Sequence, residues 1–104
     1  MIDLFICDYM RTPIGRYTGS LASVRPADLG AAVLQSRQER NPKIDWEAVD
    51  EVAFACANHG REEKLNVAQM SLLLAGLSIS VTGTPINRLC GSCMDVVLSA
   101  ARAV

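Results

Sequence analysis

Apolar residues along this chain fall into short blocks of two kinds. Leu4-Phe5-Ile6-Cys7 and Val52–Ala57 are continuous apolar runs with polar neighbours, the pattern of strands buried on both faces of a parallel sheet. Between them, Leu29, Ala32, Val33 and Ser36 recur at helical spacing behind Pro26, which suits the first helical position, and Asn41-Pro42 halts the helix near Arg40. Asp45 is placed to cap a short turn through Trp46, Glu47 and Ala48. Further on, Asn66 is the expected N-cap of a helix from Val67 to Leu77, with Val67, Met70, Leu73, Leu74 and Leu77 as its apolar stripe. Gly76 and residues 78–83 then lead into a third strand around Thr84 and Ile86, ending near Arg88, and helical periodicity resumes at Gly91 or Ser92.

The predicted order is therefore β-α-β-α-β-α, an α/β chain with a mostly parallel sheet, right-handed crossovers and helices on both faces. The segment Arg11–Leu21, with Pro13, Gly15 and Gly19, reads as an ordered loop. The last helix differs from the others. Met94, Val96, Val97, Leu98, Ala100, Ala101, Ala103 and Val104 surround it, and only Asp95, Ser99 and Arg102 form a narrow polar line, so it suits the interior of a larger body. No Gly, Asn or Pro terminates it before Val104, and the expectation is that these residues are the N-terminal piece of a longer protein.

Composition narrows the function classes. The 104 residues carry a net charge of −1 with interspersed signs and five per cent aromatics, so no basic face points to nucleic acid or an anionic membrane. The run Leu4–Cys7 is too short and too poorly flanked for a signal peptide, and no apolar stretch approaches a membrane span, which makes a cytoplasmic location the default. Of the four cysteines, Cys7 and Cys56 sit in strand-like runs without paired metal-ligand spacing and are expected in the core, with no metal site.

Cys90 has a different setting, at the junction of the third strand and the last helix. The first turn of a helix has unpaired N–H groups and the positive end of the macrodipole, a place that favours a thiolate, and the thiolate is the nucleophilic form. Gly91 leaves room beside the sulfur for a substrate carbonyl. In a parallel sheet such sites form beyond the carboxyl ends of the strands. The spacing alone also fits a buried cysteine packed between strand and helix. His59, the single histidine, falls in the polar loop from Asn58 to Lys64 and reads as a solvated or interface residue.

The segments RTPIGRYTGSL, NVAQMSLLLAGL and above all NRLCGS followed by a helix resemble the thiolase family, with further likeness to its β-ketoadipyl-CoA branch in FICD, NPKIDWEAVDEV and CANHG. The likeness runs over the whole chain. It implies that residues 1–104 are the first part of the thiolase N-terminal domain, with the loop region and C-terminal domain outside them. It also implies an acyl-CoA C-acyltransferase in which Cys90 takes the acyl group as a thioester. Coenzyme A and acyl-CoA would be substrates with no bound cofactor, and the full-length form would be a homodimer or homotetramer. The family's activating histidine, oxyanion histidine and second cysteine would come from later segments, and neither His59 nor Cys93 occupies those positions.

Two residues depart from the family's pattern: Cys93 stands where a small residue is usual after CGS, and Gln69 where Arg is usual. Cys93 creates a C-x-x-C at a helix start, the spacing of dithiol redox sites. The alternatives to an acyltransferase are thus a dithiol oxidoreductase using Cys90 and Cys93, and a truncated, non-catalytic subunit acting only in assembly.

Overall fold

The structure, a computed structural model, describes residues 2–58 and 66–104; the expectation for His59 lies outside them. The described elements are helix α1 (Pro26–Arg40), strand β1 (Glu51–Ala55), helix α2 (Val67–Leu74), strand β2 (Thr82–Ile86) and helix α3 (Ser92–Arg102), with 3-10 turns at Trp46–Ala48 and Leu89–Gly91. Local chemistry sets most of these limits. Pro26 opens α1, Asp28 lies in its first turn and Arg37 and Arg40 in its last, complementing the dipole, and the Asn41 N–H closes it on the Arg37 carbonyl. Asp45 accepts from the Glu47 N–H, and Asn66 accepts from the Gln69 N–H at 3.0 Å, as capping residues should.

β1 and β2 pair in parallel, with Val52 opposite Gly83 and Ala53 opposite Thr84. The ladder ends on Thr82 N–H to the Asp50 carbonyl and Cys56 N–H to the Ile86 carbonyl. With the alternation of a parallel ladder, Thr82, Thr84 and Ile86 turn their backbone groups toward β1, while Gly83 and Pro85 turn theirs away. Proline there forfeits no bond to β1. The Gly83 N–H donates to Gln69 Oε1 at 3.0 Å, and its carbonyl accepts from Asn66 Nδ2, so the first turn of α2 occupies the outer edge of β2 at this residue.

α2 packs on α1 and on both strands, and α3 lies against β1 and β2 without forming a helix–helix interface. The core gathers Leu72, Leu77 and Val81, with Leu34, Trp46, Val49 and Val52 partly buried around it. Small residues set the closest approaches. Ala27 and Ala31 of α1 and Ala68 and Ser71 of α2 are buried, Ser71 Oγ donates to the Ala27 carbonyl at 3.1 Å, and a Cβ on Gly30 would run into Ser71 and Phe54. A Cβ on Gly83 would meet the α2 backbone itself, at 2.7 Å from Gln69 Cα and 2.9 Å from the Ala68 carbonyl carbon.

Several sequence expectations change here. Leu4–Cys7 forms no strand: it pairs with neither β1 nor β2, Phe5 is 80 % and Ile6 89 % exposed, and Cys7 is exposed rather than in the core. A strand exists only through its ladder, and this run has no strand neighbour among the described residues. Cys56 is half-buried, at the end of β1. β1 starts one residue early and stops at Ala55. The face that α1 buries is Ala27, Gly30 and Ala31, with Ala32 exposed. α2 stops at Leu74 and buries Val67, Ala68, Ser71 and Leu72, leaving Leu73 and Leu74 substantially exposed. Where α1 and α2 approach, the buried side chains of α1 are the small ones, while α2 buries Leu72 in the core beside its small residues.

Candidate active site

Cys90 lies four residues past the end of β2, in the 3-10 turn Leu89–Gly91 that runs directly into α3. Each neighbour of the cysteine is pinned. Asn87 Oδ1 accepts from the Leu89 N–H at 2.9 Å, and Asn87 Nδ2 reaches the Ala57 carbonyl at 3.4 Å, tying the turn to the segment that leaves β1. Ser92, only 3 % exposed, accepts from the Arg88 N–H at 2.7 Å and donates to the Leu89 carbonyl at 2.7 Å. The Gly91 N–H closes on the Arg88 carbonyl at 3.0 Å. Arg88 Nη1 meets Asp95 of the first α3 turn at 3.4 Å, a contact too exposed on the arginine side to contribute much.

These bonds hold Leu89 at φ 51°, in the left-handed region that a branched side chain seldom adopts. The consequence is a sharp corner. The chain leaves β2, reverses at Leu89 and presents Cys90 outward before the helix begins, and the cysteine is exposed rather than packed between strand and helix. Among the described residues nothing accepts a hydrogen bond from the Cys90 N–H, which leaves that donor for a ligand. A Cβ built at Gly91 would find only Arg88 Cβ, at 4.0 Å, so the space over the turn is open.

Cys93, the second residue of α3, is also exposed, and all four cysteines are free thiols. Gln69, at the other departure from the family's pattern, is the residue that accepts from the Gly83 N–H, so its side chain supports β2 rather than the turn. Two cavities lie apart from Cys90: one of about 280 Å³ lined by residues that include Thr12, Leu29, Phe54 and Cys56, the other of about 440 Å³ between α1 and β1 beside Arg37 and Trp46. Neither touches the candidate nucleophile. No described helix is long and apolar enough to cross a membrane.

From the sequence, Asn87 has no assigned role and Ser92 is only a candidate helix start. The available signal was local: a short polar side chain two residues before a forced left-handed position, and a serine at the start of a helical pattern.

Comparison with known proteins follows the same chain segments. A family profile described as the thiolase N-terminal domain matches residues 4–104. The chain is 55 % identical over 102 residues to a β-ketoadipyl-CoA thiolase of Pseudomonas aeruginosa, covering 98 % of this chain and 25 % of that protein. It is 55 % identical over 104 residues to the 3-oxoadipyl-CoA/3-oxo-5,6-dehydrosuberyl-CoA thiolase of Escherichia coli K12, covering 26 % of it. Among solved structures, an acetyl-CoA acetyltransferase of Bacillus anthracis superposes on 88 % of this chain with a TM-score of 0.76 and 38 % identity, and the match spans 23 % of that chain. The chain thus spans about a quarter of the length of the curated relatives it matches.

Proposed function

Since the chain belongs to the thiolase family through its N-terminal domain, we propose that it is the nucleophile-bearing part of an acyl-CoA C-acyltransferase acting on a 3-oxoacyl-CoA such as 3-oxoadipyl-CoA. Cys90 is the acyl acceptor. Its thiolate adds to the keto carbon of the 3-oxoacyl-CoA, and the carbonyl π pair becomes an alkoxide. When the alkoxide collapses, the bond between the keto carbon and the adjacent methylene breaks, and its electron pair leaves on acetyl-CoA, where it takes up a proton. The shortened acyl group stays on sulfur as a thioester until a second coenzyme A thiolate displaces Cys90.

The observation that carries this reading is the corner at Leu89–Gly91, which exposes Cys90 while fixing the residues on either side of it. A fixed nucleophile loses little freedom on approaching the transition state. The unpaired Cys90 N–H is a donor suited to the alkoxide that forms next to its own side chain. Proton transfer to and from the sulfur needs a base, and the chain's single histidine, His59, is not at a position where the family's motifs place one. The activating base, the proton-shuttling cysteine and most of the coenzyme A site belong in this reading to segments outside residues 1–104, as do the loop region and C-terminal domain.

The complete protein is in this reading a cytoplasmic homodimer or homotetramer. Met94, Val97 and Leu98, at 74, 62 and 47 % exposure, give α3 an apolar surface that further protein would cover. Mass-spectrometric mapping of iodoacetamide adducts tests the assignment. Cys90 should be alkylated ahead of Cys7, Cys56 and Cys93, and the 104-residue chain should not cleave acetoacetyl-CoA. Preferential labelling of Cys7, which is also exposed but lies on an irregular segment, would remove the basis for Cys90, and thiolysis by these residues alone would contradict the need for an external base.

A further inference from the structure

We propose that Cys90 and Cys93 form a reversible intrachain disulfide under hydroperoxide, and that this bond switches the acyl-accepting sulfur off. The second half of the statement rests on the function proposed above; the first half does not.

The geometry is that of one helical turn. Gly91 has φ −89° and ψ 2°, Ser92 has φ −60° and ψ −42°, and Cys93 follows as the second residue of α3. Residues three apart on such a turn share a face with Cβ atoms about 5–6 Å apart, roughly an ångström beyond the about 3.5–4.5 Å that a disulfide spans, so closure asks only a small tightening of this first turn. Both thiols are free and exposed, and the residue between them that could crowd the sulfurs is Gly91, whose missing Cβ would touch nothing nearer than 4.0 Å. The other intervening residue, Ser92, points inward to Arg88 and Leu89. These bonds already order the turn, so closing the two cysteines on each other costs little further chain entropy. Cys93 meets no requirement of the proposed thiolytic reaction, and a cysteine one turn from an exposed nucleophile is placed as a resolving thiol.

The oxidation balances with a hydroperoxide as oxidant. The Cys90 thiolate attacks the terminal peroxide oxygen, the O–O bond breaks, and an alcohol or water departs with the remaining oxygen while Cys90 becomes a sulfenic acid. The Cys93 sulfur then attacks the Cys90 sulfur. An S–S bond forms, the S–O bond breaks, and the hydroxyl leaves as water with the proton from Cys93. Two electrons pass from the thiol pair to one peroxide. A small dithiol restores both thiols by exchange.

The test treats the 104-residue chain with hydrogen peroxide, blocks remaining thiols with N-ethylmaleimide and digests with trypsin. Cleavage after Arg88 and Arg102 places both cysteines on one peptide, Leu89–Arg102. That peptide should emerge lighter by two hydrogens, refuse alkylation, and regain two reactive thiols after dithiothreitol. In C93S and C93A the same treatment should stop at a sulfenic acid on Cys90, trapped by dimedone. Equal dimedone capture in the unsubstituted chain and in C93S would overturn the proposal, as would a bond from Cys90 to Cys7 or Cys56. A separate arm, iodoacetamide labelling of the reduced chain, reports on Cys90 as nucleophile. Loss of the disulfide with that labelling intact overturns the switch alone, and the reverse pattern overturns the catalytic assignment alone.

Discussion

Replacing Ser92 by alanine isolates the contribution of the corner that carries Cys90. The hydroxyl makes two short bonds, accepting from the Arg88 N–H and donating to the Leu89 carbonyl, both at 2.7 Å, and it is almost fully buried. Each such bond is worth about 1 kcal/mol net, and a partner left dry costs more. Alanine recovers roughly 0.5 kcal/mol through its better helix propensity at the start of α3. The balance is a loss of about 1.5 kcal/mol, toward the lower end of what two buried bonds would give, because Arg88 and Leu89 are exposed and water can reach their freed groups. With a urea m-value of about 1 kcal/mol per molar for a chain of this size, the midpoint of S92A should fall by roughly 1–2 M. The same substitution releases Leu89 from its left-handed backbone, so the rate of Cys90 alkylation should change in S92A and stay constant in a control at the exposed Ser23. A midpoint that tracks the Ser23 control, with unaltered labelling of Cys90, would show that the serine is not what fixes the turn.

Other substitutions test the frame that holds the corner. G83A should be more disruptive than G30A: the added methyl of the first meets helix backbone, which cannot rotate away, whereas that of the second meets the Ser71 and Phe54 side chains. Strain of about 1–3 kcal/mol is ordinary for such overpacking, and an equal or inverted order in urea melts refutes the close approach at Gly83. N66A removes both a helix cap and the donor to the Gly83 carbonyl, and should cost about 1–2 kcal/mol, against a negligible change if Asn66 merely faces solvent. Asp8 sets an acid limb. Burial pushes its carboxyl up, but hydrogen bonds from Asn41, from the Tyr9 N–H and from Arg40, together with the Arg40 charge, outweigh this and hold it below the ordinary value of 3.8. A lowered value in the folded chain means that its stabilisation is complete above the ordinary carboxylate range and drains away as pH falls below 3.8 through the folded value. D8N should flatten that limb of a stability–pH curve, and an acid limb identical in the two chains would exclude Asp8 as its source.

The parts of this fold that could be read in advance are those governed by nearest neighbours in sequence. Pro26, Asn41, Asp45 and Asn66 act through bonds within a few residues, and the elements they delimit begin or end where their chemistry says. The junction at Cys90 was legible for the same reason, since a strand, a glycine and an amphipathic run follow one another directly. Choices made by distant partners were not legible. Leu4–Cys7 has strand composition but no ladder among the described residues, and Leu73 and Leu74 have core composition but remain 42 and 41 % exposed. Ala27, Gly30 and Ser71 look unremarkable as a hydrophobic pattern, yet α1 and α2 meet through them. In the candidate site the position of Cys90 at the turn before α3 could be picked out and its holders could not, because Asn87 and Ser92 matter only once Leu89 is seen to turn left-handed.

The occupied flank of β2 gives the sheet a direction of growth. At Gly83 the amide side chains of Gln69 and Asn66 already satisfy both backbone groups, and the adjacent outward residue, Pro85, has no proton to offer a newcomer. An additional strand is therefore refused on that side and welcomed beside β1, whose outward backbone groups at Glu51, Ala53 and Ala55 have no backbone partner among the described residues. A strand added to this sheet would lie outward from β1, which keeps the cysteine-bearing strand on the rim.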